Sequence, residues 1–96
     1  MRRVPILAIL DKYFKRTIGM DNMVIYNFGD SYIKTYEDRL ELFIITKKKS
    51  MAVHYDAYYR DIRTFTIDRE RIDHKEIYTI EINSFYITFE RKWAIM

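Results

Sequence analysis

Cysteine is absent from the 96-residue chain, and glycine and proline are nearly so, at two and one. Without cysteine there is no disulfide framework, no thiolate nucleophile and no thiolate metal ligand. Gly19 and Gly29 stand alone, which excludes a glycine-rich phosphate loop. Glutamine is missing too, and asparagine occurs only three times, so the polar surface is built from Lys, Arg, Asp, Glu, Thr and Tyr. No apolar run approaches the ~18 residues that a membrane-crossing helix needs. None of Ser31, Ser50 and Ser84 sits in the Gly-x-Ser-x-Gly setting of a nucleophile elbow; all three read as turn residues. His54 and His74 are the two histidines, too few for a familiar zinc spacing. His54 would share a strand face with Asp56, and Asp73, His74 and Glu76 read as a solvated charged loop. The expectation is a protein that is not an enzyme and has no cofactor and no metal.

What is present is a β-forming, aromatic chain. Hydrophobic residues make up 49% and charged residues 32%, a globular mixture, and 96 residues argue for a single domain, 1–96. Isoleucine occurs 15 times and tyrosine nine times, residue types that strands favour. The net charge of +3 is unevenly placed. Residues 1–20 carry Arg2, Arg3, Lys12, Lys15 and Arg16 against Asp11, whereas 21–96 are close to neutral. Lys47, Lys48 and Lys49 form one further basic run. Any electrostatic argument about partners is therefore one about patches and not about the whole chain.

The first 19 residues predict an amphipathic helix. Pro5 suits its first turn and Gly19 the position after its end. Ile6, Leu7, Ile9, Leu10, Tyr13, Phe14 and Ile18 fill one arc of the wheel, with Asp11, Lys12, Lys15 and Arg16 opposite. Nothing caps the N-terminus. The apolar stretch is too short for a leader and lacks a cleavage site. The helix is expected to cover a sheet; lying on a membrane surface is the lesser alternative.

From residue 20 the period becomes that of strands. Met23–Phe28 and Ser31–Tyr36 flank a Gly29-Asp30 turn. Arg39–Thr46 alternates around Leu40, Leu42 and Ile44, Lys47–Ser50 turns, and Met51–Tyr55 returns. Thr64–Asp68 is short. Ile77–Ile82 and Phe85–Glu90 flank an Asn83-Ser84 turn. In His54–Arg63 the spacing of Tyr55, Tyr58, Tyr59 and Ile62 favours a short helical turn, and Arg69–Glu76 reads as a charged loop or one helical turn. The expected class is α+β: the N-terminal helix followed by a six- or seven-stranded antiparallel meander, strongly bent or closed into a small, partly open barrel.

Function is then sought in binding. Tyr and Arg are the residues most enriched at interaction hot spots. Tyr58, Tyr59, Arg60, Tyr86 and Phe43 are the candidates for contacting a protein partner, as in an accessory or viral inhibitor of a larger machine. The alternative is nucleic-acid binding, with Arg2, Arg3, Lys12, Lys15, Arg16, Lys47, Lys48 and Lys49 on phosphates and strand aromatics on bases. Met23–Phe28, taken as an unpaired first strand, invites a second copy, hence a homodimer. A cytoplasmic location is expected.

Overall fold

The computed structural model describes residues 1–45 and 51–92, the side chain of Lys92 excepted. The chain opens with α1 (Arg3–Tyr13), whose N-cap, Arg2, is extended and makes no side-chain cap. Ile6 and Leu10 are fully buried, and Leu7, Ile9 and Tyr13 pack against the same core. The apolar arc thus faces inward, and among the described residues no helix is long and apolar enough to cross a membrane.

The helix is shorter than the expected 1–19. At Phe14 the backbone turns extended, with its N–H still donating to the Leu10 carbonyl, and β1 (Arg16–Ile18) follows. Two forces favour this early stop. Thr17 and Ile18 are β-branched, and Phe14 gains a stacked position on Phe28, ring centroids 4.8 Å apart. Arg16 then folds back on Asp11 with two hydrogen bonds, Nε to Oδ1 at 3.0 Å and Nη2 to Oδ2 at 2.5 Å. Ile18, placed by the helical pattern in the core, is 63% exposed. Gly19 is no helix terminator; its N–H closes on the Met23 carbonyl at 2.7 Å in the link to the next strand.

Eight strands in two antiparallel sheets follow among the described residues, in place of one sheet of six or seven, and neither sheet closes into a barrel. The first sheet runs β1, β2 (Val24–Phe28), β3 (Ser31–Thr35), β4 (Arg39–Ile45) and β5 (Ala52–Tyr58) in that spatial order. The second runs β6 (Phe65–Ile72), β7 (Lys75–Ile82) and β8 (Phe85–Lys92). Met23–Phe28 is therefore not an edge: β2 is paired on both sides, and Arg16–Ile18 forms the edge instead. The expected Lys47–Ser50 turn lies outside the described residues.

Two further corrections concern stretches without a clean period. In His54–Arg63 the expected helical turn is present but short, a single 3₁₀ turn at Tyr59–Asp61, and the residues before it, through Tyr58, continue β5. Arg69–Glu76 is no loop but the outer end of a long hairpin, β6 and β7 meeting at Asp73-His74. From Asp68 to His74 both faces are exposed and mostly charged, so the alternation there carries no hydrophobic mark. Positive φ at Gly29 (64°), Asp73 (54°) and Asn83 (57°) turns the β2–β3, β6–β7 and β7–β8 hairpins, a conformation Gly, Asn and Asp accept most readily.

The inner faces of the two sheets meet over Tyr26, Ile33, Leu40, Leu42 and Ile44 on one side and Phe65, Ile67, Tyr78, Ile80, Ile82, Ile87 and Phe89 on the other. Aromatic stacks join them: Phe85 lies on Tyr55 of β5 at 4.4 Å, and Phe89 lies on Phe28 of β2 at 4.7 Å. Four residues of β8, ~13 Å, thus span three strand spacings of the first sheet, ~14 Å. β8 crosses that sheet steeply, nearer to orthogonal than to aligned packing. One charged side chain enters this interior. Glu76 is 7% exposed and is held by Arg71 Nε at 3.0 Å and the Tyr78 hydroxyl at 3.1 Å. Burial alone pushes its carboxyl up, but these hydrogen bonds and the Arg71 and Arg69 charges prevail and keep it below the ordinary glutamate range.

Candidate functional site: an arginine and tyrosine cleft

Two separate stretches of sequence meet where α1 begins. The Met1 amine donates to the Tyr59 carbonyl at 2.9 Å and also to the Ile62 carbonyl, which lays the helix start along the 3₁₀ turn. Tyr59 is the bolt of this corner. Its side chain is buried, its N–H donates to the Asp38 carbonyl at 3.1 Å and its hydroxyl to the Tyr36 carbonyl at 2.5 Å. Burial pushes its phenol up, so it stays a neutral donor. Tyr58, one residue earlier on β5, points the opposite way and is 45% exposed. The Arg60 guanidinium lies over its ring, 5.0 Å from the centroid.

The result is a cleft of about 390 Å³ lined by Met1, Arg2, Arg3, Glu37, Asp38, Tyr58, Tyr59 and Arg60. Five residues singled out from sequence converge in it: Arg2 and Arg3 from the phosphate-contacting set, Tyr58, Tyr59 and Arg60 from the protein-contacting set. Their roles divide. Arg3 belongs to the fold, its Nη2 reaching the Asn22 carbonyl at 2.5 Å and the Thr35 carbonyl at 3.1 Å. Arg2 and Arg60 are exposed, and Asp38 is drawn off by Arg39 at 3.2 Å. Two exposed guanidiniums beside a flat phenol make a surface that grips a carboxylate or phosphate and accepts an apolar or aromatic group alongside it.

Tyr58 also belongs to the outer face of the five-stranded sheet. There the register lines up rows across the strands: Tyr32 opposite Phe43 opposite His54, and Arg39 opposite Tyr58. Phe43 is half-buried, its ring stacked on Tyr32 at 5.3 Å, and Arg39 lies over the Tyr36 ring at 4.2 Å. Compared with protein-family models, curated proteins and solved structures, the chain matches none.

The remaining candidates do not join the cleft. Tyr86 is exposed on the other sheet, its hydroxyl donating to Glu81 at 3.0 Å. Lys12, in the last turn of α1, and Lys15, just past its end, are exposed, and ten residues of helical rise separate Arg2 from Lys12 by ~15 Å. Arg16 is occupied by Asp11, whose carboxyl the Arg16 hydrogen bonds hold below its usual range. Lys47, Lys48 and Lys49 lie outside the described residues. Sequence reasoning missed Tyr32, Tyr36 and Arg39, and also Glu41, which comes together with His54 and Asp56 on this outer face. Only strand register brings those residues to one place, and no local spacing encodes it.

Proposed function

We propose that the protein is a small, non-enzymatic binding module that occupies a protein partner through this cleft and the aromatic face beside it. The observation that carries the reading is the convergence of Arg2, from the start of the chain, with Tyr58 and Arg60, from its middle, around one concavity. Arg and Tyr supply rigid contact area and charge-assisted hydrogen bonds, the features of interaction hot spots. An acidic or carboxylate-bearing segment of the partner fits the two guanidiniums best. Affinity purification from the native lysate tests this with wild type, an Arg2→Glu/Arg60→Glu variant and Tyr86→Ala. The charge-reversed variant should lose a partner that Tyr86→Ala retains. Equal capture by all three would remove the cleft from the reading.

Single-stranded nucleic acid is the second reading, favoured by exposed Tyr58 and the half-buried rings of Tyr32, Tyr36 and Phe43, flanked by Lys34, Arg39 and Arg60. With two exposed guanidiniums in the cleft, neutralising about two phosphates would give a log-affinity slope in log salt of about −1.4. Fluorescence anisotropy with labelled oligonucleotides at about 50 and 200 mM salt reads this directly, and flat anisotropy at low salt sinks it.

A further inference from the structure

We propose that Glu41, His54 and Asp56 form a binding site for a divalent transition metal of the zinc class on the outer face of the five-stranded sheet. Pairing of β4 with β5 sets Glu41 directly opposite Asp56, and the two-residue period of β5 puts His54 on the same face. One ligand atom from each side chain lies within 4.8 Å of the other two. His54 Nε2 stands 3.4 Å from Glu41 Oε2 and 3.3 Å from Asp56 Oδ1. A tetrahedral zinc bound at about 2.0–2.1 Å holds its ligands about 3.3 Å apart. Two edges of the coordination polyhedron are thus already at the required length.

The donor chemistry narrows the ion. Calcium and magnesium take oxygen ligands in six- to eightfold shells, whereas an imidazole nitrogen with two carboxylates suits zinc and its neighbours. The two carboxylates would balance the charge of the dication. They also supply an independent reason for a cation here, because like charges directly opposite on paired strands repel. Lys34 stands opposite Glu41 in the register, but its ammonium lies over the Tyr32 ring at 4.6 Å, while Arg39 pairs with Asp38 at 3.2 Å and lies over Tyr36 at 4.2 Å. His54 Nε2 lies beside both carboxylates, as a third ligand of an ion held between the three side chains. The Tyr32 hydroxyl donates to Glu41 Oε1 at 3.4 Å, leaving Oε2 turned to His54, the kind of outer hydrogen bond that orients a metal ligand. His54 and Asp56 are half exposed, so a fourth position faces solvent and is open to water or to a donor from a partner. The assignment does not depend on the cleft or on what binds there.

Calorimetry with Zn²⁺ alone, titrated into the metal-free full chain at neutral pH, should give one saturable site. His54→Ala and Asp56→Asn should each raise the dissociation constant at least about tenfold, while His74→Ala leaves it unchanged. In wild-type protein, Zn²⁺ should shift the NMR ring resonances of His54 and not those of His74, a readout that needs no variant to fold. Co²⁺ in its place should give the visible bands of four- or five-coordination. No saturable binding by wild type, shifts at His74 instead, or full binding by a folded His54→Ala protein would each overturn the assignment.

Discussion

The two faces of β4 obey different rules. Inward, Leu40, Leu42 and Ile44 are completely buried, and each is held to its volume by close-packed neighbours. Outward, Arg39, Glu41 and Phe43 are half-exposed and meet aromatic rings, a histidine and solvent. One strand therefore carries both the part of the molecule that tolerates least change and the part free to take on chemistry. The lesson is that residues of this sheet divide by parity and not by hydrophobicity: Phe43 is as apolar as Leu42, yet it belongs to the outer surface.

That contrast is open to measurement. Leu42→Ala, which leaves a cavity at a fully buried site, should cost about 3 kcal/mol, read from the urea midpoint. Arg3→Ala removes two charge-assisted hydrogen bonds to backbone carbonyls and should cost about 2 kcal/mol, although arginine is a surface residue by type. Phe43→Ala gives up one stacked pair and part of its burial and should cost about 1 kcal/mol. If Phe43→Ala matched Leu42→Ala, the outer face would be structural after all.

Glu76 sharpens the comparison because it puts a charge on an inner face. Its carboxyl is held below the ordinary glutamate value of 4.5 in the folded chain, so its ionised form adds stability that is complete above that pH. The contribution is lost as the pH falls through the lowered folded value. Melting temperature should therefore drop more steeply below pH 4.5 in wild type than in Glu76→Gln; parallel acid limbs would contradict the ion cluster. The smallest effect belongs to Arg2→Ala, an exposed position where stability should not move while partner capture does.

How much of this was legible depended on whether the information was local. The Gly29-Asp30 and Asn83-Ser84 turns, the alternation of Leu40, Leu42 and Ile44, and the inward arc Ile6, Leu10, Phe14 are local patterns, and each recurs in the fold. Adjacent Tyr58 and Tyr59 could not face the same way on extended chain, and one is indeed exposed and the other buried. The helix end was misjudged because Ile18 continues the helical spacing while β1 pairing with β2, which outweighs it, is invisible in the local sequence. β6 was cut short because Asp68–Arg71 carries charge beyond the core. The cleft was seen as two rival sets of residues, since their union depends on where α1 starts relative to the Tyr59 turn.

Every strand of both sheets pairs with its neighbour in the chain. Hairpins of this kind close short loops and form in about 1–10 μs, so little of the folding barrier lies in making either sheet. The expected slow step is their docking, which brings together the rings of Phe14 just past α1, Phe28 of β2, Tyr78 of β7 and Phe89 of β8. Truncating one of these rings should change both the refolding and the unfolding rate in stopped-flow measurements, whereas a substitution at the Gly29-Asp30 turn, formed before docking, should chiefly slow refolding.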